Sequence, residues 1–121
     1  MSIEPTRAAL QTALDSAVES LQALEQMAVA PSARSSALRN RLGKPLADEG
    51  ISPQQVIAHL VADCDGAMVG SASGRFFGWA IGGTLPAAIA ADWLVSAWDQ
   101  NAALYSCRPA AAQVEDLVGS W

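Results

Sequence analysis

Charge is scarce in this chain of 121 residues: Asp, Glu, Lys and Arg together make up 16%, against roughly 25% in an ordinary globular domain. So little solvated side chain favours an oligomer, an obligate partner or a further domain over a free monomer. Lysine occurs once, as Lys44, and histidine once, as His59. The two cysteines, Cys64 and Cys107, stand apart in apolar surroundings with no CxxC pair. That usage excludes a disulfide framework and reads as free structural thiols in a reducing compartment. A basic, then apolar, leader is missing, so the expected location is cytoplasmic. Seven bases against twelve acids leave a net charge of −5. The tightest basic group, Arg34, Arg39, Arg41 and Lys44, has no aromatics interleaved, so nucleic acid is not an expected partner.

Long apolar runs are also lacking. Phe76 to Ala91 carries no charge, but Gly82-Gly83, Pro86 and then Asp92 interrupt it before the ~20 apolar residues of a membrane helix are reached. No assembled chemistry is visible either. His59 has no Cys, Asp or Glu at a metal-ligand spacing. Asp63 and Asp65, two apart, face different ways on a helix, and Glu115 and Asp116 read as solvated neighbours. Ser71-Ala72-Ser73-Gly74 has only a loose likeness to a nucleophile elbow and no strand before it. Gly82-Gly83-Thr84 precedes a helix N-terminus that attracts anions in general, but lacks the spacing of a phosphate loop. No catalytic, cofactor-binding or metal-binding residue is expected in the chain.

What is present is helical pattern. From Glu4-Pro5-Thr6, the residues Leu10, Leu14, Ala17 or Val18, Leu21, Leu24 and Met27 recur at steps of three and four. Pro31 ends that pattern. The stripe needs something to lie on, and a second copy of the same helix meets the need. Pro31 to Gly50 reads as a connector, with a short helical turn over 37–42. Ser52-Pro53-Gln54-Gln55 is a capping box, opening a helix with Val56, Ile57, Leu60 and Val61 on its apolar face and Gly66 as the terminal glycine. Thr84 is expected to cap a further helix that turns Ile89, Trp93, Leu94 and Trp98 inward. A last helix starts at Pro109 and carries Val114, Leu117, Val118 and Trp121 on one face. The expectation is a mainly α fold of about four helices, with residues 1–73 as a helical clasp and connector and 74–121 as an aromatic loop plus helices. Trp79, Trp93 and Trp98 are expected in a core.

The stretch that organises the rest is Gly74 to Gln100, with three of the four tryptophans, both phenylalanines and only Arg75, Asp92 and Asp99 charged. Arg75-Phe76-Phe77-Gly78-Trp79-Ala80-Ile81-Gly82-Gly83-Thr84-Leu85-Pro86-Ala87-Ala88, then Ala91-Asp92-Trp93-Leu94 and Ser96-Ala97-Trp98-Asp99-Gln100-Asn101, resembles the N-terminal part of the pyridoxal-phosphate-dependent decarboxylases. That family includes the aromatic-L-amino-acid, glutamate and histidine decarboxylases. Pro45-Leu46, Glu49-Gly50, Val56-Ile57 and Leu60 fit it, as does Pro109-Ala110-Ala111-Ala112 leading to Val114-Glu115. Ala72-Ser73-Gly74 and Arg108 depart from its usual residues. The resemblance implies the front of a larger fold-type-I α/β enzyme, a carboxy-lyase of amino-acid metabolism whose N-terminal helices clasp a partner subunit. It implies substrate-pocket residues at Phe76, Phe77, Trp79, Ile81 and Gly82, and places Trp98 to Tyr105 near the dimer interface.

Pyridoxal phosphate is the cofactor of the full-length family. Its Schiff-base lysine and phosphate cup lie in a large domain expected beyond this chain, and Lys44 does not match the lysine motif. The chain is therefore read as a fragment that is inactive alone, whose partners are a second copy or the missing large domain, with a small amino acid as the full enzyme's substrate. The alternatives are a non-enzymatic helical self-association module and a small-ligand binder using the aromatic loop.

Overall fold

A computed structural model describes residues 2–80, 83–100 and 103–121. The described residues hold five α-helices and no strand: α1 (Glu4–Ala23), α2 (Ser35–Leu42), α3 (Pro53–Asp63), α4 (Pro86–Trp98) and α5 (Pro109–Gly119). Mainly α is therefore right, and five replaces the expected four because the turn over 37–42 lengthens into α2. Arg34 enters α2 in extended conformation, and Arg39 and Arg41 sit in its last turn, where cations suit the dipole.

The chain divides into two compact units, Met1–Gly82 and Gly83–Trp121. In the first, α1 packs on α3 and α2 touches α3. The face that α1 turns to α3 is not its leucine stripe. Ala13, Ser16 and Ala17 of α1 and Ile57, Leu60 and Val61 of α3 line a common space of about 460 Å³, while Leu10 is 48%, Leu14 44% and Leu21 48% exposed. Small side chains on α1 let the two backbones approach, and Ile57 is half-buried. Two hydroxyls on this side bond back along the helix, Thr12 Oγ1 donating to Ala8 O (3.1 Å) and Ser20 Oγ to Ser16 O (2.8 Å).

α3 begins where the capping box places it. The Gln55 amide N–H donates to Ser52 Oγ (3.2 Å) and the Ser52 N–H to Gln55 Oε1 (3.0 Å), so two N-terminal donors are satisfied reciprocally. Its far end is tied to the connector. Gly66 has φ +69, and an added Cβ would stand 2.6 Å from Ser32 Oγ, so only glycine fits there. Its carbonyl accepts from Ser32 N (2.8 Å) and Ala33 N (2.9 Å). Arg41 Nη2 donates to Asp65 O (2.9 Å), and the Lys44 ammonium pairs with the Asp63 carboxylate. Two of the four clustered cations are thus spent on the end of α3.

α4 and α5 form the second unit. Leu85 rather than Thr84 is the N-cap of α4, and it makes no side-chain capping bond. Pro86 supplies the first turn, where a missing N–H costs nothing. The helix stops at Asp99, which takes the left-handed conformation (φ 47). α5 ends at Gly119, so Trp121 lies past the helix and is 95% exposed. Among the described residues α4 and α5 do not approach one another closely.

No hydrophobic side chain is fully buried among the described residues. The expected tryptophan core is therefore corrected: Trp93 is half-buried, while Trp79 is 77% and Trp98 62% exposed. The physical reason is area. Alanine-rich helices bury little per residue, and two helices alone cannot enclose an indole.

Candidate functional site

The aromatic loop is the one candidate site whose backbone is held by residues distant in sequence. Three bonds pin it to the end of α1 and the chain just beyond. Gly70 N donates to Val29 O (3.3 Å), Gly74 N donates to Glu25 Oε1 (3.3 Å), and the Arg75 guanidinium donates to Met27 O. This also explains why α1 ends at Ala23 although its apolar pattern runs to Met27. The residues after Ala23 leave the helix in a turn, Gln26 N and Met27 N both reaching Ala23 O at 2.8 Å, and that turn presents Glu25 and Met27 O to the loop.

Ser73 organises the loop from within. It is 6% exposed; its amide donates to Gly70 O (3.1 Å), its carbonyl accepts from Phe76 N (3.1 Å), and its hydroxyl accepts from Arg75 N (3.2 Å). A serine so placed is a turn element, which removes it as a nucleophile candidate. The loose nucleophile-elbow likeness of Ser71 to Gly74 pointed Ser73 to a different role, and no motif in the sequence distinguished Glu25 from other polar residues. Their roles depend on pairings 3 and 49 positions apart, and only the short one lies within reach of turn patterns.

From this frame the aromatics project. The rings of Phe76 and Trp79 lie 6.2 Å apart, tilted at 51°, within the range of favourable aromatic pairs. Phe76 folds back over Gly78, where a Cβ would come 2.5 Å from its Cζ. Phe76 is half-buried, Phe77 is 93% exposed and Trp79 is 77% exposed. Of the expected pocket residues, the structure brings Phe76, Phe77 and Trp79 together on one loop. Ile81 and Gly82 lie outside the described residues, as does Gly82 in the Gly82-Gly83-Thr84 anion reading.

The other candidates separate. His59 is exposed on α3. The Asp63 carboxylate is engaged by Lys44, Cys64 is half-buried and Cys107 exposed, both as thiols. No group of three or more His, Cys, Asp or Glu able to hold a metal ion occurs among the described residues, and none of the helices is long and apolar enough to cross a membrane. The chain's single lysine, Lys44, pairs with the Asp63 carboxylate, and Leu85, the N-cap of α4, makes no side-chain capping bond.

Comparison with family models, with curated proteins and with solved structures finds no match for this chain.

Proposed function

We propose that this chain supplies the aromatic wall of the substrate pocket in a pyridoxal-phosphate-dependent amino-acid decarboxylase, and that it is inactive without the cofactor-binding part. Two things support this reading: the motif running from Arg75 to Gln100, and the state of the loop that carries it. The observation that carries it is the pairing of a fixed backbone with free aromatic side chains. Phe77 and Trp79 stand 93% and 77% exposed on a loop held by Glu25, Met27 and Val29. Exposed aromatics on a pinned backbone suit recognition, since little ordering remains to be done when a ligand arrives. Phe76, Phe77 and Trp79 would line the pocket, with Ile81 and Gly82 continuing it. The chemistry would reside in the cofactor and the lysine of the large domain, while this chain would orient an amino-acid side chain and exclude water.

The test is reconstitution. The full chain is mixed with the large domain of a decarboxylase of that family lacking its own N-terminal segment. Carbon dioxide release is then measured with and without Phe77→Ala and Trp79→Ala. Restored release, with a raised KM in the variants and little change in kcat, is the expected result. No restoration, or variants with unchanged KM, would overturn the wall reading.

A second reading, a non-enzymatic self-association module, is favoured by the leucine stripe of α1, which stays 44 to 48% exposed at Leu10, Leu14 and Leu21. Self-association without any restored decarboxylation would select it.

A further inference from the structure

The chain holds two cysteines and three methionines, and three of these sulfur-bearing residues line one space. Met27, Cys64 and Met68 border the space of about 460 Å³ between α1 and α3, where Ile57, Leu60 and Val61 form an apolar wall. Met27 and Met68 are the chain's methionines other than Met1. All three residues belong to the first unit.

The backbone that carries them is fixed on both sides. Met27 lies in the turn after α1, where its N–H reaches Ala23 O (2.8 Å) and its carbonyl accepts from the Arg75 guanidinium. Cys64 caps the end of α3, and its carbonyl accepts from Ala67 N (3.0 Å), closing a turn just before Met68. The segments beyond then pair, Ser32 N and Ala33 N with Gly66 O at 2.8 and 2.9 Å, and Gly70 N with Val29 O at 3.3 Å. Cys64 is a half-buried free thiol, Met27 is half-buried and Met68 is 56% exposed. A thioether on three rotatable bonds can swing into such a space. We propose that Met27, Cys64 and Met68 form a binding site for a soft monovalent cation, a cuprous ion held by one thiolate and two thioethers.

Donor chemistry selects the ion. Thioether sulfur suits Cu(I), whereas zinc takes thiolate, imidazole and carboxylate, and calcium and magnesium take oxygen. Those harder ions would need further ligands, and no group of three or more His, Cys, Asp or Glu able to hold a metal occurs among the described residues. Asp65 is the other ionisable residue of the lining, and it is exposed.

Charge points the same way. Cu(I) displaces the thiol proton, forming a Cu–S bond and releasing one proton with no change of oxidation state. A monovalent cation on a thiolate is neutral, so the apolar wall imposes no cost of burying a net charge. A divalent ion on the same donors would keep a positive charge against Ile57, Leu60 and Val61. The proposal uses none of the aromatic side chains and does not rest on the pocket-wall reading.

The experiment is anaerobic titration of the full chain with Cu(I) supplied as its bicinchoninate complex. It is read by loss of the chelator's colour and by ultraviolet thiolate-to-copper absorption. The expected result is one cuprous ion per chain, one proton released, and no displacement by excess zinc. Cys107→Ser should leave this unchanged and Cys64→Ser should abolish it. Met27→Leu and Met68→Leu conserve apolar volume, and circular dichroism verifies that they keep the helices. Each should weaken binding roughly tenfold or more, the scale on which even outer-shell losses are felt. No binding by the parent chain, loss of binding in Cys107→Ser, or unchanged affinity in both methionine variants would overturn the proposal. So would displacement by zinc. Carbon dioxide release in the reconstituted enzyme is a separate readout, so failure of either reading leaves the other standing.

Discussion

The two units use the same alanine-rich, charge-poor composition to opposite ends. In the first, the alanines of α1 face the branched side chains of α3, and a set of long-range bonds fixes the ends: Gly66 O to Ser32 and Ala33, Arg41 to Asp65 O, Lys44 to Asp63, and Arg75 to Met27 O. In the second, the alanines of α4 and α5 border an empty groove, and the one ion pair shown between its segments, Arg108 to Asp99 at 3.8 Å, has Asp99 94% exposed. An exposed pair of that kind contributes little. α1 and α3 approach closely, whereas α4 and α5 do not, although Leu94, Trp98, Val114 and Val118 line the space between them.

The contrast can be broken most strongly at Gly66. Gly66→Ala forces a left-handed backbone on a side chain that also meets Ser32 Oγ at 2.6 Å; a loss of about 2 kcal/mol in urea unfolding of the first unit is expected. Ile57→Ala comes next. It removes the half-buried contact of α3 with α1, for about 1.5 kcal/mol, below the range for fully buried sites. Ser52→Ala dissolves the capping box and should lower stability by about 1 kcal/mol, seen as loss of helix signal on heating. Gly78→Ala displaces the Phe76 ring from above its backbone. Because that ring can swing away, the cost is about 0.5 kcal/mol, with a change in indole fluorescence as the Phe76–Trp79 pair opens. The smallest effect belongs to Leu94→Ala at low protein concentration, under about 0.5 kcal/mol, because Leu94 is already 45% exposed. A large Leu94→Ala effect under those conditions would erase the distinction between the units.

Much of the local structure was legible in the sequence. Ser52, Pro53 and Gln55 announced α3, Gly66 its terminal turn, and Pro86 and Pro109 the starts of α4 and α5. Such signals act within a few residues and need no tertiary information. The facing of α1 was not legible, because its leucines and its alanine–serine side both recur at helical spacing. Only the shape of α3 decides which one packs. The early end of α1 was hidden for a related reason: Glu25 and Met27 continue the helical pattern but are taken up by Gly74 and Arg75, nearly fifty positions away. At the candidate site, the cluster of aromatics was visible in the sequence. The bonds that hold its backbone were not, since they join groups no motif connects.

The central claim, that α1 and α3 pack on one another while α4 and α5 stay apart, is tested most directly by amide hydrogen exchange in dilute solution. Amides of α1 and α3 should be clearly more protected than those of α4 and α5. Equal protection of the two pairs of helices would contradict the account.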